Sequence, residues 1–187
     1  MQQVTILHLL KIIRMIKFVK KIFSNYRINR YRKKCIHQVT RQAAKVGKGI
    51  KINYKSHVTS NTYIGDNAGI NGVIISGSGK VIIGNNFHCG SECLIMTQNH
   101  NYDSGKTIPY DDTYIVKDVI IGDNVWFGSR VTILPGIEIG EGAIVQAGAV
   151  VSKSIPKFGI SGGNPAKVFK YRDKEHYLSL KEKRMFY

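Results

Sequence analysis

The stretch IIGDNVWFGSRVTILPGIEIGEGAIVQAGAVVSKSIP, residues 120–156, decides the fold because an apolar residue recurs in it every six positions. The recurring residues are Ile121, Phe127, Ile133, Ile139, Val145 and Val151. A small or branched residue follows each of them four positions later: Val125, Val131, Ile137, Ala143, Ala149 and Ile155. A six-residue period suits neither an α-helix nor an ordinary strand hairpin, whose periods are about 3.6 and 2.

The same period is present in the first half of the chain. It passes through Ile52, Val58, Ile64 and Ile70, slips by one residue within 76–82, and resumes at Ile83, Cys89 and Ile95. Gly or Asn often follows the apolar residue, and these residues tolerate the backbone of a tight corner. Hexads of this kind predict a triangular coil, in which each hexad forms one strand and one corner and three hexads complete a turn. The chain is therefore predicted to be mainly β, with a parallel β-helix and the apolar positions inside it, where Cys89 and Cys93 also fall.

One polar segment interrupts the repeat. Between Ile95 and Ile121 the chain reads TQNHNYDSGKTIPYDDTYIVKDVI, which contains Pro109 and cannot continue the inward apolar pattern. We expect residues from about 97 to 119 to project as an extruded loop, with His100 near its base. Loops that project from a rigid scaffold commonly carry function.

The charge of the chain is concentrated at its N-terminus. The 187 residues carry a net charge of +16, yet residues 1–55 hold 15 of the 28 Lys and Arg, and the first acidic residue is Asp66. The rest of the chain is close to neutral. Three regions are predicted: a basic amphipathic helical arm at 1–48, the β-helix at 49–171, and a C-terminal capping helix at 172–187.

The arm contains the stretch VTILHLLKIIRMIKFVKKIFS at residues 4–24. Its cations recur too often for a membrane-spanning helix or a signal peptide. On a helix, Lys11, Arg14, Lys17 and Lys21 form one cationic stripe. This pattern favours residues 4–34 lying on an anionic membrane surface, and a helix packed on the domain or on a neighbouring subunit is the alternative. Nucleic acid is not expected as a partner because the arm is rich in aliphatic residues.

The repeat at 120–156 and the phrase GGNPAKVFK at 162–170 resemble the hexapeptide-repeat acyltransferases, which include galactoside, maltose and capsular-polysaccharide O-acetyltransferases. The resemblance covers roughly residues 50–172 and is closest over 118–170. It implies a left-handed β-helix, a homotrimer with active sites in the clefts between subunits, acetyl-CoA as co-substrate, and a sugar or glycan acceptor. A cytoplasmic location is expected, with peripheral contact at the inner face of the cell membrane through the arm.

The resemblance also implies a catalytic residue. The family has a Thr-x-x-His or Thr-x-His at the extruded loop, and Thr97-Gln98-Asn99-His100 stands there in this chain. A sugar hydroxyl is a poor nucleophile, so its attack on a thioester needs a general base. A neutral imidazole can take the proton and pass it to the leaving thiolate. Asp103 and Glu92 are both candidates for orienting His100, and the sequence does not choose between them.

Other roles follow from the same resemblance. The expected acceptor-binding residues are Asn71, Asp103 and Trp126. Those expected to bind the cofactor are Ser129, Ala147, Ser152, Lys153, Lys167 and Lys170. No metal is expected, because the related γ-type carbonic anhydrases bind zinc through an H-x4-H pair and this chain has none.

Two other classes of function stay open. Within the same scaffold the acceptor could be an amine, as in nucleotide-sugar N-acetyltransferases, or serine or an antibiotic. A non-catalytic trimeric β-helix that serves as a scaffold is the alternative outside enzymes. His100 separates the two classes, because a scaffold does not need it.

Overall fold

The computed structural model describes the backbone of residues 2–187 and the side chains from residue 14 onward. The chain divides into two compact units, Met1–Lys34 and Cys35–Tyr187. Helix α1 (Gln2–Gln42) begins in the first unit, and helix α2 (Lys174–Glu182) lies near the end of the second. The strands are β1 (Lys45–Val46), β2 (Lys51–Tyr54), β3 (Thr62–Ile64), β4 (Gly69–Asn71), β5 (Ile74–Ser76), β6 (Val81–Ile83), β7 (His88–Cys89), β8 (Leu94–Met96), β9 (Gln98–His100), β10 (Tyr114–Val116), β11 (Val119–Ile121), β12 (Trp126–Phe127), β13 (Thr132–Ile133), β14 (Glu138–Ile139), β15 (Ile144–Val145), β16 (Val150–Val151), β17 (Gly159–Gly162) and β18 (Lys167–Tyr171).

Short strands of the second unit form three sheets that run along the coil. Sheet 1 has the order β1-β3-β6-β11-β14, sheet 2 has β2-β4-β7-β12-β15-β17-β18, and sheet 3 has β5-β8-β13-β16. Successive strands of the coil fall on the three sheets in rotation, and the pairing between turns is parallel except for β17 with β18. The chain thus winds about six turns, and the predicted parallel β-helix is confirmed.

The core is a column of the residues that recur every six positions. All six inward residues of 120–156 are buried, and so are the six that follow them four positions later. Phe127 meets Phe87 of the turn below edge to face, with 5.1 Å between the ring centroids. Cys89 and Cys93 are buried in the same column, as predicted. Each turn therefore buries its apolar face against its neighbours.

The slip in the repeat begins one hexad earlier than the sequence suggested. The inward residue of the strand that follows Ile70 is Ile75, five positions on, and exposed Ser76 lies outside the column. Gly72 and Gly77 turn the nearby corners with φ of 72° and 98°. Glycine is needed there because other residues adopt such φ values only at a cost.

Asparagines stack along the corner between sheets 1 and 2. Asn67, Asn86 and Asn124 all have φ between 52° and 58°. The amide of Asn67 donates to Asn86 at 3.3 Å, that of Asn86 to Asn124 at 2.9 Å, and that of Asn124 to the hydroxyl of Tyr177 at 2.7 Å. Tyr177 belongs to α2 and also donates to Glu141 at 3.0 Å. This arrangement corrects the predicted capping role, because α2 lies along the side of the coil, where it completes the ladder.

The N-terminal boundary of the coil also differs from the prediction. Strand β1 begins at Lys45, before the expected boundary at residue 49, and pairs with β3. Cys35 and Val39, near the end of α1, are buried in the second unit. Lys11 of the predicted cationic stripe lies outside the residues whose side chains are described. Across the described part of the chain, α1 included, no helix combines the length and the apolar character that crossing a membrane requires.

Candidate active site

The extruded loop is a hairpin that is fastened to the coil at both ends. Strands β9 and β10 pair in antiparallel fashion, with Tyr114 opposite His100. At the base, the carbonyl of Thr97 accepts from the backbone N–H of Lys117 at 2.9 Å. The buried hydroxyl of Thr97 donates to the carbonyl of Ser76 and accepts from the N–H of Gly79, at 3.0 and 3.1 Å. Thr97 therefore fixes the point at which the chain leaves the coil, three residues before His100.

Two tyrosines of the same loop surround the imidazole of His100. Tyr110 stacks on it with 3.9 Å between ring centroids and 18° between the planes. Tyr114 lies at 4.6 Å with a tilt of 35°. The Nδ1 atom of His100 is buried and has no hydrogen-bond partner among the described residues. The sequence pattern did not predict either tyrosine, although pairing the two arms of a hairpin would have placed Tyr114 opposite His100.

The two carboxylates considered for orienting His100 do not meet its buried nitrogen. Glu92 forms an ion pair with Arg130, with 2.8 Å between Oε2 and Nε. Asp103 is exposed on the loop. Since Nδ1 has no partner, neither carboxylate orients the ring through that nitrogen within one chain.

Asp111 fixes the far half of the loop. Its carboxylate accepts hydrogen bonds from the hydroxyl and the N–H of Thr113 and from the N–H of Lys106. The hydrogen bond from the Thr113 hydroxyl, followed by those from the two N–H groups, lowers the pKa of Asp111. These bonds hold the turn that leads from Tyr110 to Tyr114.

One chain does not bring the predicted acceptor residues to His100. Trp126 lies on the outer surface of sheet 2, half exposed, and pairs with His88 and Ile144. The loop of His100 instead leaves the corner between sheets 3 and 1. Asn71 lies at the corner between sheets 2 and 3. Its side-chain amide nitrogen donates to the carbonyl of Cys89 at 2.9 Å, and its amide oxygen accepts from the side-chain amide of Asn53 at 2.8 Å.

The predicted cofactor residues fall into separate groups. Ser129 and Ala147 lie on consecutive turns at the corner between sheets 2 and 3, where the N–H of Gly148 donates to the Ser129 carbonyl at 2.9 Å. Ala147 is exposed, and a side chain added at Gly148 would meet no atom within 4 Å. Exposed Ser152 and Lys153 follow β16, toward the corner between sheets 3 and 1.

The last two lysines lie on β18. Lys167 is opposite Gly162 and Lys170 is opposite Ile160, and both are exposed. Lys167 is thus the nearer of the two to the open corner at Gly148. Within the described residues, no group of three or more His, Cys, Asp and Glu is placed to hold a metal ion.

Residues 118–153 match the model of the family described as bacterial transferase hexapeptide, six repeats. A protein of Saccharomyces cerevisiae that is inferred to be an acetyltransferase is 41% identical over 113 residues, which are 59% of this chain and 56% of that protein. A maltose O-acetyltransferase from Clostridium difficile is 32% identical with a TM-score of 0.56, over 70% of this chain and 67% of that one. A galactoside acetyltransferase in complex with coenzyme A is 26% identical with a TM-score of 0.60, over 74% and 70%. The chain spans about half the length of the curated relatives it matches.

Proposed function

Because the chain belongs to the hexapeptide-repeat transferases, we propose that it transfers an acetyl group from acetyl-CoA to a hydroxyl of a sugar or polysaccharide precursor. His100 is the general base of this reaction. The observation that carries the proposal is a histidine in contact with two aromatic rings at the base of a loop that interrupts an otherwise regular coil. The maltose and galactoside acetyltransferases among the similar structures support a sugar acceptor.

The chemistry follows from the environment of the ring. Burial of Nδ1 leaves Nε2 as the nitrogen that meets the acceptor. Nε2 takes the hydroxyl proton while the oxygen attacks the thioester carbon, and the C–S bond then breaks. The proton passes to the departing thiolate, so the base returns to its starting state. A hydrogen-bond donor near the carbonyl would stabilise the oxyanion, as in other acyl transfers.

The cofactor is proposed to lie along the open corner near the C-terminal turns. The exposed Ala147 and the open space at Gly148 leave room for a pantetheine arm beside Ser129. Lys153 and Lys167 would meet its phosphates as point charges, with Ser152 next to the first of them. Lys170 lies further along β18, opposite Ile160, and would meet the phosphates only at the far end of the cofactor.

A homotrimer is part of the proposal. Trp126 and His100 lie on different sides of one coil, so a site that contains both requires a second chain. In this arrangement Trp126 and Asp103 would contact the acceptor in a cleft between chains. Asn71 is not placed in this cleft, because the oxygen and the nitrogen of its amide are already hydrogen-bonded within the coil.

The basic arm is proposed to bring the enzyme to an anionic membrane surface. Between residues 14 and 26, the apolar side chains fall on one side of α1 at its rotation of about 100° per residue. They are Met15, Ile16, Phe18, Val19, Ile22, Phe23 and Tyr26, and all are largely exposed. Arg14, Lys17, Lys20 and Lys21 occupy the other side, and five more cations follow within 27–34. Such a helix binds an interface through apolar burial together with attraction to anionic lipid.

The test of catalysis is thiol release from acetyl-CoA in the presence of maltose, lactose, a UDP-linked amino sugar, serine or chloramphenicol. With the best acceptor, His100→Ala should lower kcat by ~10²–10⁴-fold, the usual contribution of a general base. His57→Ala is the matched control, since His57 is exposed on the coil away from the loop. Undiminished turnover by His100→Ala would refute the assignment. Turnover with only serine, only chloramphenicol or only the UDP-linked amino sugar would instead identify that compound's class as the acceptor.

A further inference from the structure

A general base works only if its ring stays in the plane in which it can receive the proton. Histidine bases are commonly fixed by a hydrogen bond at the second ring nitrogen, which sets both tautomer and orientation. In this chain that nitrogen, Nδ1 of His100, is buried without a partner among the described residues. Some other contact must therefore restrain rotation of the ring within one chain.

We infer that Tyr110 and Tyr114 are positioning residues that fix the ring plane of His100 by stacking. Tyr110 is nearly parallel to the imidazole, with an angle of 18° and a centroid distance of 3.9 Å. Tyr114 adds a second, tilted contact at 4.6 Å. Aromatic pairs at such distances attract each other beyond the burial of their surface. The inference rests on the proposed function, because it gives these tyrosines a role in His100 catalysis.

The loop holds both tyrosines independently of His100. Tyr114 is placed by the hairpin register, which sets it directly across from His100. The backbone carbonyl of Tyr110 accepts from the hydroxyl of Thr107 at 2.9 Å. The bonds of Asp111 to Lys106 and Thr113 fix the turn between the two tyrosines. The stacking surface is thus built before any acceptor binds, which is what a positioning role requires.

The π faces also suit the charge that appears during the reaction. When Nε2 takes the hydroxyl proton, the imidazole becomes a cation. A cation over the face of a tyrosine ring is attracted by the ring quadrupole. The stack therefore stabilises the state that forms on the reaction path more than the resting base, and its removal should lower kcat and leave ground-state binding unchanged.

The kinetic test compares two substitutions at one position. Tyr110→Leu should lower kcat with the best acceptor of the screen by about three- to tenfold, the range expected for one aromatic pair, with unchanged KM for acetyl-CoA and for that acceptor. Tyr110→Phe keeps the ring and should restore kcat to within about twofold, since the stack does not use the hydroxyl. Tyr102→Leu is the control and should leave kcat unchanged, because Tyr102 is an exposed tyrosine of the same loop.

A second readout requires no acceptor. In protein with labelled histidine, the ring protons of His100 are identified by their loss in His100→Ala. Tyr110→Leu should shift them by removing the ring current, whereas Tyr110→Phe should leave them in place. Unshifted His100 protons in Tyr110→Leu would overturn the inference, and so would a rise in KM for the acceptor at constant kcat. If His100→Ala retains full activity the proposed function fails, and a shift seen at the same time would still establish the stack itself.

Discussion

Replacing Gly122 by Ala should destabilise the coil, because the turns approach each other too closely there for a side chain. A Cβ on Gly122 would lie 2.8 Å from the backbone N and 3.1 Å from the Cα of Glu141, on the next turn. The N–H of Gly122 donates to Ile139 on that same turn at 2.8 Å, so the two backbones cannot separate without losing this bond. The added methyl group would therefore force apart two turns that are hydrogen-bonded to each other.

The magnitude can be estimated from two opposing effects. Overpacking of a close-packed region costs about 1–3 kcal/mol, and the upper part of this range applies because the contacted atoms belong to the backbone. Replacing Gly by Ala also restricts the unfolded chain, which offsets about 0.4–1 kcal/mol. The net loss should be about 2 kcal/mol, or roughly 4–8 °C in Tm for a domain of this size.

Gly148→Ala is the matched control on the same coil. Gly148 has φ of 73°, yet a side chain there would meet no atom within 4 Å. Left-handed backbone costs about 1–2 kcal/mol for Ala, so the same offset leaves a net loss of about 0–1.6 kcal/mol, smaller than that expected for Gly122→Ala. Denaturant unfolding followed by circular dichroism measures both variants. If Gly122→Ala proves as stable as Gly148→Ala, the close spacing of the turns does not limit stability and the reasoning is refuted.

Two further predictions concern the ends of the chain. Burial, reinforced by the hydrogen bond to Glu141, raises the pKa of Tyr177 to about 12. Because the folded state favours the neutral phenol, the advantage of the native chain over Tyr177→Phe should be full below about pH 10 and disappear as the pH rises through 12. Denaturant midpoints of both chains at pH 8, 10 and 12 check this, and a difference that grows with pH would contradict it. At the other end, Phe18→Ser should weaken binding to vesicles of phosphatidylglycerol and phosphatidylcholine by about 10- to 100-fold, since a buried aromatic contributes about 1.5–3 kcal/mol. Ser24→Asn, which lies among the lysines on the polar side of α1, should bind as the native chain does. Equal sedimentation of all three chains would exclude the apolar face of α1 as the membrane-binding surface.

The sequence by itself determined the β-helix, the loop and the buried column. Each hexad makes contacts with its neighbouring turns, so the pattern that places Ile121, Phe127 and Ile133 inside is complete within a short stretch of chain. The sequence also predicted the loop, because the polar residues after Ile95 cannot continue the column of inward apolar residues. For the same reason Cys89 and Cys93 were assigned to the core from their position in the repeat.

Only the tertiary structure decided what surrounds His100 and where α2 lies. The stack with Tyr110 depends on how a loop closes through Asp111 and Thr107, and no sequence period encodes that closure. The place of α2 depends on Tyr177, which meets the last amide of an asparagine ladder 53 positions away in the chain. Local periodicity specifies which residues point inward, whereas contacts between distant, non-repeating segments are set by the packing of the folded chain.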